Sequence, residues 1–212
     1  MTRQMMDETI KKDQERASQP SAKSEKSVVR QYAEAVIIAI ILALVIRSFV
    51  IQAFKIPSGS MLQTLQIGDH ILVNKFLYWF TDLQHGDIIV FKFPQDEGRD
   101  FIKRVVALPG EKVEIRGKQV YINDKSLAEP YTVHLDPAII ENPGSARDNF
   151  GPVVVAPGQL FMMGDNRDYS MDSRFWGFLD MKKIKGKAFI IYWSWDHERF
   201  RPRWERIGML VR

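Results

Sequence analysis

Two serines, Ser58 and Ser60, are the first residues in this sequence that suggest chemistry. They lie in the segment Ile56-Pro57-Ser58-Gly59-Ser60-Met61, where the proline and the glycine favour a tight, exposed turn. A serine hydroxyl becomes a nucleophile only when a nearby base takes its proton. Because the glycine directly precedes Ser60, the segment is not a Gly-x-Ser-x-Gly nucleophile elbow. Taken alone, the segment is more typical of a simple turn than of a nucleophile.

Lys103 is the candidate base for such a serine. It interrupts the apolar run Phe101-Ile-Lys-Arg-Val-Val-Ala-Leu, and strand alternation places Lys103 and Arg104 on opposite faces, so that one cation faces the core. A buried lysine is costly unless it has a role, and it acts as a base when burial or cationic neighbours lower its pKa toward about 7–8. The alternative is an edge strand that is solvated on both sides. The histidines are scattered, without the spacing of a triad or of metal ligands: His70, His85, His134 and His197.

A third polar segment follows the strand-like run that ends at Met163. It reads Gly164-Asp-Asn-Arg-Asp-Tyr-Ser-Met-Asp-Ser-Arg174. Its acidic residues do not have the spacing of a calcium loop, so no metal is predicted. Asp172 and Arg174 are close enough in sequence to form an ion pair that stiffens the segment. A polar turn network without a catalytic role is the alternative.

The N-terminal part of the chain changes character abruptly. Residues 1–31 are polar and charged and are predicted to form a flexible cytoplasmic tail. Ala35 to Ile46 contains no polar residue, and extension to Phe54 gives a helix of about 30 Å. No small-x-small cleavage site follows. The sequence therefore predicts an uncleaved transmembrane helix over 32–54, and a buried helix of a soluble domain is the alternative.

Charge predicts the orientation of this span. Lys23, Lys26 and Arg30 precede it, whereas Lys55 is the only cation in the flank that follows, residues 52–69. Cytoplasmic flanks carry the excess of lysine and arginine. We therefore expect a single-pass protein of the cytoplasmic membrane, with its N-terminus in the cytoplasm and residues 55–212 on the extracytoplasmic face.

Residues 55–212 carry the pattern of an all-β domain. Short β-branched and aromatic runs such as Asp87-Ile-Ile-Val-Phe-Lys-Phe alternate with glycines and prolines. The segment 112–125 alternates on both sides of a glycine-containing turn, which predicts a hairpin. No long soluble helical pattern is present, so the predicted fold class is mostly β, with an antiparallel sheet. Residues 131–158, with four prolines and little periodicity, are predicted to be a loop-rich insertion.

The amino-acid composition limits the classes of chemistry and of binding partner that the chain can have. The chain has no cysteine, which excludes disulfides and thiolate chemistry. Residues 182–212 carry nine Lys/Arg against three Asp/Glu, interleaved with Trp193, Trp195 and Trp204. This mixture suits the interface of a phospholipid bilayer. No nucleic-acid-binding motif accompanies the charge, so nucleic acid is not predicted as a partner.

Four blocks of sequence, in this order after one apolar segment, resemble bacterial type I signal peptidase, a serine–lysine protease family. They are PSGSMLQTL, GDIIVFKFP, FIKRVVALPGE and MGDNRDYSMDSRFWG. The resemblance covers about 54–110 and 158–180, with a weaker match at Arg206-Ile207-Gly208. It implies an antiparallel β catalytic domain with an apolar surface against the bilayer, and a short form with one span. It also implies a membrane-bound endopeptidase, without cofactor, that removes signal peptides from exported preproteins with small side chains at the first and third positions before the cut.

The roles that the resemblance implies are assigned by position in these blocks. Ser60 matches the nucleophile, and Lys103 matches the general base. Ser58 matches the hydroxyl that forms the oxyanion hole with the Ser60 backbone N–H, and Ser170 matches the serine that orients the lysine amine. Asp172 and Arg174 match a structural pair near the site. We assign the walls of the substrate pockets to five apolar residues: Ile56, Pro57, Ile102, Met162 and Met171.

Two other functions remain open from the sequence. A self-cleaving SOS repressor-type protease also uses serine and lysine on a related β-fold, but it would have a soluble N-terminal arm in place of a span. It would also lack the GDNRDYSMDSR block. A non-enzymatic, membrane-anchored β-domain would bind lipid or peptide through its apolar surface. Cleavage of a preprotein by the wild type, and its loss in a Ser60→Ala variant, separates these possibilities.

Overall fold

A computed structural model of the chain describes residues 28–45, 50–142 and 144–212. The chain divides into two units between Leu44 and Val45. Helix α1 (Val28–Val45) contains no glycine or proline, and its apolar side chains between Val36 and Leu44 are largely exposed. Within the described ranges, no helix combines the length and the apolar character that a membrane crossing requires. Most of the predicted cytoplasmic tail, residues 1–27, lies outside the described residues.

The prediction of a helix over 32–54 is wrong at its C-terminal end. Ile51–Lys55 form strand β1, which pairs antiparallel with β2 (Asp69–Asn74) so that Phe54 lies opposite Ile71. A short run of β-branched and aromatic residues suits a helix or a strand equally, and its pairing partner decides between them. The predicted span between these elements includes residues 46–49, which lie outside the described residues.

Antiparallel strands form the second unit, as the sequence predicts. The larger sheet adds to β1 and β2 the strands β3 (Ile88–Phe93), β4 (Asp96–Ala107), β9 (Gln159–Met163), β10 (Leu179–Asp180), β11 (Ile184–Asp196) and β12 (Arg201–Pro202). The smaller sheet contains β5 (Lys112–Arg116), β6 (Gln119–Ile122), β7 (Lys125–Ser126) and β8 (Phe150–Val154). The strand orders are β1-β2-β11-β3-β4-β9-β10, with β12 on β11, and β7-β6-β5-β8. The helical segments of this unit are short: α2 (Ser173–Trp176) and 3-10 turns at Leu77–Trp79, Arg167–Tyr169, Met181–Lys183 and Trp204–Arg206.

The predicted hairpin over 112–125 is confirmed, whereas the predicted insertion is only partly a loop. Strands β5 and β6 pair with Ile115 opposite Val120, and both turn residues, Gly117 and Lys118, have positive φ. A two-residue hairpin turn of this kind requires that conformation. Strand β8 lies inside the 131–158 insertion and pairs with β5, because Phe150 and Val153 complete the apolar face of the small sheet.

The larger sheet is covered on both faces where the site lies. Along β3, Ile88 and Val90 join one buried cluster, while Ile89 and Phe91 join another on the opposite face. A strand that is buried on both faces reads as a continuous apolar run rather than an alternating one. A charged residue in the second half of the neighbouring strand β4, from Lys103 onward, is therefore buried whichever way it points.

Candidate active site

Ser60 and Lys103 lie side by side, although 43 positions separate them in the sequence. The Lys103 Nζ donates a hydrogen bond to the Ser60 Oγ at 2.7 Å, and a second one to the Ile102 carbonyl at 3.0 Å. Ser60 comes from the turn that follows β1, and Lys103 comes from the middle of β4. The sheet itself thus sets the distance between the two groups.

Burial changes the acidity of Lys103. Its side chain is only 3% exposed, and the loss of hydration lowers its pKa from 10.5 to about 8. The Asp172 and Asp165 carboxylates favour the charged amine and limit this fall, whereas the Arg174 guanidinium adds to it. A neutral amine is therefore accessible near neutral pH, and its lone pair at this distance can accept the proton of the serine hydroxyl.

Arg104 is also buried, which corrects the expectation that only one of the two cations faces the core. Strand β4 lies between β3 and β9, so the alternative of an edge strand is wrong. Arg104 is 2% exposed and forms two hydrogen bonds to Asp165, at 2.8 and 2.6 Å. Its guanidinium also stacks on the Tyr131 ring, with 3.7 Å between Cζ and the ring centroid. The two faces of β4 therefore have separate uses: Lys103 points to the serine, and Arg104 holds the start of the polar loop.

The polar segment 164–174 is a loop held by buried ion pairs. The pair expected between Asp172 and Arg174 is present, with two hydrogen bonds of 2.8 Å, and the Asp172 Oδ2 also accepts from the Gly164 N–H. Arg167 forms a bidentate pair with Glu129, in which both side chains are nearly fully buried. A buried charge is tolerated only when it is paired and hydrogen-bonded, so these contacts fix the loop in one conformation.

Ser170 is buried beside the nucleophile but is not bonded to the lysine. Within the described residues its hydroxyl has no hydrogen-bond partner, and both hydrogen bonds of Lys103 go elsewhere. A Cβ atom placed on Gly164 would lie 2.2 Å from the Ser170 Oγ and 2.4 Å from the Ser60 carbonyl oxygen. Gly164 therefore lets Ser170 and the Ser60 backbone approach from two sides, a closeness that no other residue allows.

A cavity of about 580 Å³ opens at these residues. Ser58, which is exposed, and the buried Ser60 and Lys103 lie in its wall. Three of the five predicted pocket residues also line it: Pro57, Ile102 and Met171. The other two predictions are wrong. Ile56 and Met162 are 2% and 0% exposed and belong to the packed core, because the chain turns their side chains inward at the ends of their strands.

Sequence reasoning missed further residues of the cavity wall: Arg99, Asp100, Phe101, Asn166 and Tyr169. Arg99 and Asp100 belong to β4, which begins before the apolar run that marks it in the sequence. Asn166 and Tyr169 lie in the polar loop. The density of polar residues in this loop indicates a functional segment. The spacing of these residues does not distinguish those that face the cavity from those that hold the loop in place.

Comparisons with known proteins identify the family of this chain. Residues 29–193 match the family model described as "Signal peptidase, peptidase S26". A signal peptidase I from Pseudomonas fluorescens is 34% identical, and the match covers 88% of this chain and 81% of the relative. A probable signal peptidase I-1 from Synechocystis sp. is 43% identical, with 81% and 83% covered. A solved signal peptidase I structure from Enterococcus faecalis V583 is 34% identical and covers 50% of this chain and 97% of that chain, with a TM-score of 0.41.

The family model spans most of the chain, including the turn that carries Ser60 and the strand that carries Lys103. The chain belongs to the signal peptidase family, peptidase S26, and within that family its enzymatic activity is that of a signal peptidase I.

Proposed function

We propose that this enzyme cleaves signal peptides from exported preproteins with Ser60 as nucleophile and Lys103 as general base, through an acyl-enzyme. The observation that carries the proposal is the 2.7 Å contact between a buried amine of lowered pKa and a hydroxyl on the wall of a cavity. An activated nucleophile needs a base within hydrogen-bond reach and in the right protonation state, and this pair meets both conditions.

The proposed reaction has two halves. The Ser60 Oγ attacks the scissile carbonyl carbon while its proton moves to the neutral Lys103 Nζ. The carbonyl oxygen becomes an oxyanion, which the Ser60 N–H and the Ser58 hydroxyl stabilise. Collapse of this intermediate breaks the C–N bond, and Lys103 gives its proton to the leaving amine. A water molecule, deprotonated by the again neutral Lys103 Nζ, then attacks the ester carbonyl. The bond to the Ser60 Oγ breaks, Lys103 returns the proton to this oxygen, and the peptide acid leaves.

The cavity suits the substrate class that the resemblance implies. Apolar side chains line it near the serine, with Ile102 next to the lysine and Met171 on the polar loop. We propose that these walls accept the small side chains at the first and third positions before the cut. Shallow apolar pockets reject larger groups by overlap rather than by lost hydrogen bonds.

We also propose that the enzyme is anchored in the cytoplasmic membrane by the apolar segment that precedes Ile51. Helix α1 supports this, because seven apolar side chains between Val36 and Leu44 are more than half exposed, and an exposed apolar patch marks an interaction with a membrane or a partner. The basic residues before the segment favour a cytoplasmic N-terminus. Protease added to spheroplasts should then digest residues 55–212, and full protection of this domain would reverse the orientation.

The test of the proposed chemistry is cleavage of one preprotein by detergent-solubilised enzyme, with the cut mapped by mass spectrometry. We expect a single cut after Ala-x-Ala, lost in Ser60→Ala and in Lys103→Met. Ser126→Ala is the matched control, because Ser126 is exposed on β7, far from the site in sequence. Undiminished cleavage by Ser60→Ala would remove the assignment of the nucleophile. If the chain cuts only itself, the repressor-type alternative holds, and if no variant or wild type cuts anything, the β-domain is a binding module.

A further inference from the structure

Asn166 forms hydrogen bonds to the backbone on both sides of the nucleophile Ser60. Its side-chain Nδ2 donates to the Gly59 carbonyl oxygen at 3.0 Å, and its own backbone N–H donates to the Ser60 carbonyl oxygen at 3.1 Å. The residue is 3% exposed and belongs to the cavity wall. The polar loop thus holds the peptide units on both sides of Ser60.

The first of these contacts acts on a single peptide group. The Gly59 carbonyl and the Ser60 N–H belong to the same planar trans peptide and point in opposite directions. A donor fixed at the carbonyl therefore fixes the direction of the N–H. The Leu62 N–H is the second donor to this carbonyl, at 3.2 Å. The opposite amide orientation of Asn166 would place two acceptors against each other, so the donor end must face Gly59.

The Ser60 N–H itself has no hydrogen-bond partner within the described part of the chain. We propose that Asn166 is a positioning residue that aims this N–H at the oxyanion. The inference rests on the proposed function, in which Ser60 attacks the scissile carbonyl. Hydrogen bonds in series polarise one another, so donation to the Gly59 carbonyl also strengthens the Ser60 N–H as a donor. Preorganised donors of this kind stabilise the charge that develops in the transition state.

The other end of the Asn166 amide argues for this use rather than for a purely structural one. Its Oδ1 is buried without a hydrogen-bond partner in the described structure. A buried acceptor that lacks a partner costs stability. The buried Asn166 side chain therefore lowers the stability of the fold through its Oδ1, while its one side-chain hydrogen bond goes to the peptide of the nucleophile. This combination favours a functional role over a structural one.

The experiment compares wild type, Asn166→Ala and the matched control Asn149→Ala. Asn149 is exposed and also bonds two backbone groups, Gly117 N–H and the Ile140 carbonyl, but it lies outside the cavity wall. Loss of a direct oxyanion donor costs on the order of 10²–10³ in kcat, so an indirect partner should cost about tenfold. We expect Asn166→Ala to lower kcat about tenfold with KM unchanged, and Asn149→Ala to change neither.

Two ligands separate positioning from general damage. A peptide aldehyde ending in Ala-x-Ala adds to the Ser60 Oγ and forms an oxyanion, whereas the product peptide acid forms none. We expect Asn166→Ala to lose about tenfold in affinity for the aldehyde and to keep its affinity for the product peptide. Equal losses for both ligands, or a kcat within twofold of wild type, would overturn the inference.

A second variant keeps the test decisive if Asn166→Ala does not fold. Asn166→Leu has nearly the same shape, but its side chain cannot donate to Gly59, so a kcat loss at least as large is expected. Wild-type kcat in this variant would also overturn the inference. Ser60→Ala is assayed beside it. If Ser60→Ala still cleaves, the proposed nucleophile is wrong, and if only the Asn166 variants keep full activity, the positioning role alone is wrong.

Discussion

Lys103→Met should abolish cleavage and at the same time stabilise the folded protein. Methionine has a similar length and no charge, so it fills the space under the cavity without the cost of a buried amine. A pKa that falls from 10.5 to about 8 means that the fold disfavours the charged lysine by about 3 kcal/mol. The variant also loses the hydrogen bonds to Ser60 and to the Ile102 carbonyl, which lowers its stability by about 1 kcal/mol. The net gain at pH 7 is then about 2 kcal/mol.

The stability gain of Lys103→Met should depend on pH. Below about pH 8 the lysine is protonated in both the folded and the unfolded chain, and the folded state carries the whole cost. Between about pH 8 and 10.5 the folded chain releases the proton while the unfolded chain keeps it, so wild-type stability rises with pH. The methionine variant has no such group, and its advantage should shrink over this range.

The assay is urea unfolding in detergent at pH 7, 8.5 and 10, followed by tryptophan fluorescence. Lys125→Met is the matched control, because Lys125 is exposed on β7 and should change stability little at any of these pH values. A Lys103→Met variant that is less stable than wild type at pH 7 would refute the reasoning. So would a difference that stays constant up to pH 10.

Three further predictions concern activity. Wild-type kcat/KM should rise with pH through about 8, because the base must be neutral, and a profile that is flat down to pH 5 would contradict a lysine base. Ser58→Ala should lower kcat about 10²–10³-fold without unfolding, as measured against Ser60→Ala, and a loss below threefold would exclude an oxyanion role. Gly164→Ala should lower both kcat and the melting temperature, since its Cβ would lie 2.2 Å from the Ser170 Oγ and overpacking costs about 1–3 kcal/mol. Gly98→Ala is its control, because the nearest atom there is a side-chain oxygen at 3.2 Å.

The strands were predictable where local signals agreed. Turn residues and alternation marked the β5–β6 hairpin, and the apolar run marked the second half of β4. Four of the five residues 96–100 in the first half of β4 are charged, and this half pairs with β3 through backbone hydrogen bonds that residue types do not reveal. The same limit applies to β1, whose residues extended an apolar run and were therefore counted with a helix.

The site divides in a similar way. Lys103 could be singled out because a cation inside an apolar strand conflicts with its surroundings, and such conflicts mark functional residues. The burial of Arg104 could not be predicted in the same way, because strand alternation assumes one solvated face and the second half of β4 has none. The sequence prediction places Ile56 and Met162 in the pocket wall, yet both side chains pack in buried core clusters.

The buried ion pairs within and beside the polar loop also constrain how this enzyme can diverge. Arg104, Arg167 and Arg174 each meet one acidic partner away from solvent: Asp165, Glu129 and Asp172. Removal of one member of such a pair leaves the other charge buried without a partner, which lowers the free energy of unfolding by about 3–5 kcal/mol. Acceptable substitutions must therefore arrive in pairs, and a loop transplanted from a relative carries its function only if the partners outside the loop, Arg104 and Glu129, are transferred with it.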